Sequence, residues 1–85
     1  MENLIMVSIG EVARQCGLSV RRVRYLSDQG YILPPVLTVS GDISYRYYTG
    51  RHIEQIKRIK SYQDKGHTLK SAVMKAYLEA PNSKS

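Results

Sequence analysis

The spacing of apolar positions changes along the chain, and each change marks an element. Ser8-Ile9-Gly10-Glu11 is a capping-box pattern, in which the Ser8 hydroxyl accepts from the amide three residues on and Glu11 reaches back to the amide of Ser8. Ile9, Val12 and Ala13 follow at helical spacing, and Gly17 after Cys16 supplies the left-handed residue that ends a helix of about eight residues. Ser19 is the next cap. The segment Val20 to Gln29 runs without proline or glycine to Gly30, with Val20, Val23 and Leu26 or Ser27 on one face and Arg21, Arg22, Arg24 and Tyr25 pointing elsewhere.

Pro34 and Pro35 then stop any helix and favour an extended path. Branched and aromatic residues at Val36-Leu37-Thr38-Val39 and Ile43-Ser44-Tyr45-Arg46-Tyr47-Tyr48 flank Ser40-Gly41-Asp42, which predicts a β-hairpin. Adjacent Tyr47 and Tyr48 fall on opposite faces of a strand, so the tyrosines of this run cannot all be core. Thr49 caps a third helix with Ile53, Ile56, Ile59 and Tyr62 as its buried stripe and Arg51, Lys57, Arg58 and Lys60 on its outer side; Gly66 ends it. His67 belongs to the turn. Thr68 caps a last helix whose seam is Leu69, Ala72, Val73, Ala76 and Tyr77.

The fold expected is mainly α with a small β-hairpin: a winged helix-turn-helix of about four helices plus a wing. One domain fills residues 4–80, and the polar tail 81–85 is expected to be disordered. A chain of 85 residues has one modest core, large enough to fold without disulfides or metal but a poor setting for a deep catalytic cleft.

Charge adds a partner to this picture. Lysine and arginine number 13 against 7 acids, a formal net charge of +6 that favours a polyanion, with nucleic acid as the first candidate. The excess is not spread evenly. Between Val12 and Ser27 there is no acid, against Arg14, Arg21, Arg22 and Arg24. A merely solvated basic face would be interspersed with glutamates at i,i+4, and their absence favours a surface built to meet negative charge. In a helix-turn-helix the second helix commonly lies in the major groove, and a hairpin after it is a wing whose phosphate contacts here would come from Arg46 and the hydroxyls of Tyr45 and Tyr47.

Other chemistry is not supported. Cys16 stands alone, which fits a reducing compartment and excludes a disulfide framework, and His52 and His67 are too far apart in sequence to suggest a metal pair. There is no Gly-rich phosphate loop, no nucleophile with a nearby base and no paired carboxylates, so the chain is not expected to be an enzyme. The segment MENLIMVSIGEV has no basic n-region or long apolar h-region, so a cytoplasmic, nucleoid-associated protein with no membrane partner is expected.

The segments "SIGEVARQCGLSVRRVRYLSDQGYILP", "YRYYTGRHIEQI" and "KGHTLKSAV", in that order, resemble the N-terminal winged-helix DNA-binding domain of MerR-type transcriptional regulators from Val7 to about Leu78. The resemblance implies sequence-specific binding of double-stranded DNA in a bacterial transcription regulator, with Arg24 and Tyr25 of the recognition helix and Arg46 of the wing at the DNA. Arg21, Arg22 and Arg14 are added on charge. The chain departs from the family where Leu26-Ser27-Asp28 replaces a second aromatic and an acid, and where Pro35 to Ser44 is longer, lacks a basic residue after the proline and has Ser44 in place of a glycine.

Family members usually continue into a dimerising helix and an effector domain. This chain is then the DNA-reading module of a larger, homodimeric regulator, or a short protein complete in itself; no small molecule, cofactor or metal is assigned to it. Alone it is expected to be a monomer, because its apolar seam is consumed by packing its last two helices and no heptad follows Ala80. Two alternatives share the residues: an excisionase-like architectural protein, distinguished by binding at recombination ends and not promoters, and a protein-interaction module using the basic face, which would not bind random-sequence duplex.

Overall fold

The computed structural model describes residues 6–78, and the expectations for residues 4, 5 and 79 to 85, including the tail, lie outside them. The elements are β1 (Val7–Ser8), α1 (Ile9–Cys16), α2 (Val20–Asp28), β2 (Val36–Ser40), β3 (Ile43–Tyr48), α3 (Gly50–Asp64) and α4 (Leu69–Leu78). The chain divides after Ile53 into two units.

In the first unit, local chemistry sets the helix ends. The Ser8 hydroxyl accepts from the Glu11 amide and the Ser19 hydroxyl from the Arg22 amide at 3.1 Å, as the caps predict. Gly17, at φ 70°, turns the chain between α1 and α2, with the Leu18 amide donating to the Ala13 carbonyl at 2.9 Å and the Gly17 amide to that of Arg14. This is a Schellman closure, and Gly30, at φ 74°, repeats it at the end of α2 through Tyr31 to Leu26 and Gly30 to Ser27. One half of the expected capping box is absent. The Glu11 carboxylate turns to Arg14 and Gln15 instead of reaching back to Ser8, because a guanidinium is a stronger partner than a neutral amide.

The expected hairpin forms, but its turn is Gly41-Asp42 alone: Ser40, expected in the turn, extends β2 and pairs with Ile43, and Thr38 lies opposite Tyr45. Gly41 has φ 64° and no described non-glycine residue, Asp42 included, has positive φ, the pattern of a II′ turn. The sheet has a third strand that the hairpin pattern does not contain: β1 pairs with β3, Val7 opposite Tyr48 and Ser8 opposite Tyr47, giving the order β1-β3-β2. A two-residue strand has no alternation to read, so its pairing is a tertiary outcome. Val12, Ala13 and Cys16 of α1, Val23 and Leu26 of α2, Ile32 and Tyr48 are the buried apolar residues of this unit.

In the second unit Ile56 and Ile59 of α3 are buried, with Tyr62 half-buried in the same stripe. The Thr68 hydroxyl caps α4 by accepting from the Ser71 amide at 3.2 Å. Ala72 and Ala76 are buried, but Tyr77 is 69% exposed and does not belong to the seam assigned to it. A face of two alanines is narrow, and a ring one residue past Ala76 falls outside it.

Candidate nucleic-acid interface

Burial divides α2 into two faces. Val23 and Leu26 are buried; Arg21, Arg24, Tyr25 and Asp28 form an exposed stripe at i, i+3, i+4 and i+7, with Arg22 exposed beside it. Arg21, Arg22 and Arg24 make no ion pair with a described residue. The charge order of the helix runs against its dipole, with two arginines in the first turn, where acids are favoured, and Asp28 at the last position, where cations are favoured. Each misplaced surface charge forfeits roughly 0.3–1 kcal/mol. A helix that breaks a local rule at both ends marks a surface shaped by something other than its own stability.

The wing meets α2 at its C-terminal end. Arg46 Nη1 donates to Asp28 Oδ1 at 3.1 Å, and the Tyr48 hydroxyl donates to Ser27 Oγ at 3.4 Å. The Tyr48 hydroxyl and the Asp28 carboxylate together hold the Arg46 guanidinium above its ordinary pKa. Tyr48 is fully buried and stacks edge-on against His52, ring centroids 5.2 Å apart. Its role is therefore to anchor the wing.

Strand alternation separates the remaining candidates. Arg46 shares a face with Tyr48, whereas Tyr45 and Tyr47 lie on the other, their rings 6.4 Å apart. Arg14 is on α1, paired with Glu11. That pair lowers the Glu11 pKa, first through the Arg14 hydrogen bond and then through that of Gln15. Tyr25 is exposed and meets Tyr31 edge-on at 6.2 Å. The structure thus gathers Arg21, Arg22, Arg24 and Tyr25 on one helix surface and ties Arg46 to its end.

Sequence reading passed over three residues that organise this surface: Ser27, Asp28 and His52. The aspartate at the end of an otherwise basic helix was a visible signal. His52 gave none, since its buried place depends on Pro34 and Thr49. From residue 36 to residue 45 the wing has no basic residue, Asp42 stands at its turn, and Leu37 and Val39 are 63% and 68% exposed. Among the described residues no group of three His, Cys, Asp or Glu side chains could hold a metal ion, and no helix is long and apolar enough to cross a membrane. Cys16 is buried, its Sγ 4.0 Å from the Ile53 carbonyl oxygen.

Two helices joined by a Schellman turn, an exposed basic surface on the second, and a three-stranded wing tied to its end define a winged helix-turn-helix protein. Over residues 7–77 the chain matches the MerR HTH family of regulatory proteins, and it belongs to that family, whose members are transcription regulators that bind double-stranded DNA. It is 33% identical over 63 residues to the HTH-type transcriptional regulator CueR of Yersinia pestis, covering 74% of this chain and 43% of that protein. With the mercuric resistance operon regulatory protein of Bacillus cereus it shares 36% identity over 61 residues, covering 72% and 44%. The chain spans less than half the length of these relatives.

Proposed function

We propose that this chain is the sequence-reading module of a bacterial, cytoplasmic transcription regulator, with α2 in the major groove of double-stranded DNA and the wing on the phosphate backbone. Arg24 and Arg21 read base edges, Arg22 clamps a phosphate, and Tyr25 packs its ring against the groove wall beside them. Arg46 contacts the backbone from the wing, Tyr45 and Tyr47 add hydroxyl contacts from its other face, and Arg14 extends the basic surface on α1. The observation that carries this reading is the run of arginines on the exposed face of α2 that pair with no acid among the described residues, two of them in the first turn where the helix dipole disfavours them.

Its test is the salt dependence of binding to duplex DNA, followed by fluorescence anisotropy. Neutralising roughly four to six phosphates gives a log–log slope of roughly −4 to −5 per monomer. A slope near zero would remove the nucleic-acid reading, and a slope of this size with no preference among selected sites would leave the architectural alternative.

A further inference from the structure

Arg46 is the one basic side chain of the hairpin, and it is already engaged. Its partner Asp28 is the one acid of α2 and sits among the carbonyls at the negative end of the helix. Both side chains stay accessible, Arg46 at 36% and Asp28 at 50% exposure, so an anion can approach the pair without any core residue moving. The Tyr48 hydroxyl stays beside the guanidinium on the same strand face and hydrogen-bonds Ser27 of α2, keeping the wing aligned while Arg46 changes partner.

We infer that Asp28 is an affinity-setting residue of the DNA interface: it competes with phosphate for Arg46, and the wing arginine reaches the backbone by exchanging the Asp28 carboxylate for a phosphate oxygen. This rests on the DNA-binding reading above. The exchange has an ionic consequence. A phosphate that gains Arg46 releases a counterion, whereas the Asp28 carboxylate left behind takes one up, so this contact adds almost nothing to the salt slope of the native protein. Exposed ion pairs are weak, which limits the competition to roughly two- to five-fold in affinity.

The test is a double-mutant cycle on a random-sequence duplex across a salt series, using the wild type, Asp28→Asn, Arg46→Gln and the double variant, with thermal unfolding of each to verify folding. Asp28→Asn is expected to tighten binding roughly two- to five-fold and to steepen the log–log slope by about 0.9. Arg46→Gln in the native background should barely change the slope, and in the double variant both effects of Asp28→Asn should vanish. Equal tightening by Asp28→Asn with and without Arg46 would show plain repulsion of DNA by Asp28 and would overturn the exchange. A wild-type protein that binds no duplex would instead overturn the DNA reading itself, and the exchange with it.

Discussion

His52 donates from Nε2 to the carbonyl oxygen of Pro34 at 2.9 Å, joining the start of α3 to the segment that leads into the wing. The tautomer follows from the other ring nitrogen. Nδ1 lies 3.0 Å from the Thr49 amide, which can only donate, so Nδ1 accepts and the proton is on Nε2. The Thr49 carbonyl begins the helix by accepting from the Ile53 amide, so His52 takes the place that Glu or Gln fills in a capping box. His52→Ala should lose this cap, the Pro34 bond and the edge-on contact with Tyr48, destabilising the fold by about 2 kcal/mol. Urea unfolding with circular dichroism would measure it, and a loss below about 0.5 kcal/mol would show the imidazole to be dispensable.

The reversed charges of α2 predict opposite signs for stability and binding. Replacing Arg21 and Arg22 together by Glu puts acids in the first helical turn, where they complement the dipole by roughly 0.3–1 kcal/mol each. The double variant should therefore unfold at the same or a higher temperature, yet bind duplex DNA at least ~100-fold more weakly at low salt, since it replaces two cations by two anions at the interface. A parallel loss of stability would mean that these arginines serve the fold.

Arg24 lies at the middle of the exposed stripe, and Lys75 is an exposed cation on α4. Arg24→Ala should weaken binding to a selected site by roughly 5- to 150-fold, the range of one bidentate base contact, and should relax discrimination at one base position. Lys75→Ala should change affinity by less than about two-fold. Equal losses measured by anisotropy would place the binding surface elsewhere.

The apolar flank of the wing gives a gain-of-function test. Val39 is 68% exposed and lies opposite Ser44, so a lysine there has no like charge directly opposite it, Arg46 being only its diagonal neighbour across the strand pair. Val39→Lys should cost less than about 1 kcal/mol in stability. If the wing lies along the backbone, the variant should bind duplex several-fold more tightly and steepen the salt slope by about 0.9. An unchanged slope would put the wing clear of the DNA.

Much of this protein is written in short-range chemistry. Ser8, Ser19 and Thr68 cap helices because a hydroxyl three residues before an amide needs no tertiary help to reach it. Gly17 and Gly30 end α1 and α2 because their backbones adopt positive φ at no steric cost, and Gly41 turns the hairpin for the same reason. The exposed arginines of α2 were legible too, since Val23 and Leu26 fix which face is inward. What the fold alone decides is every choice among partners of similar local merit. Alternation separates Tyr47 from Tyr48, but only the packing of β3 against α1 and α2 buries Tyr48 and leaves Tyr45 exposed and Tyr47 half-buried on the other face. The addition of β1 to the sheet, the tie from Arg46 to Asp28 and the bond from His52 to Pro34 join residues eighteen or more positions apart. No local propensity encodes such distances; the closed chain brings these groups within reach, and the pairing then follows from charge and hydrogen-bond chemistry.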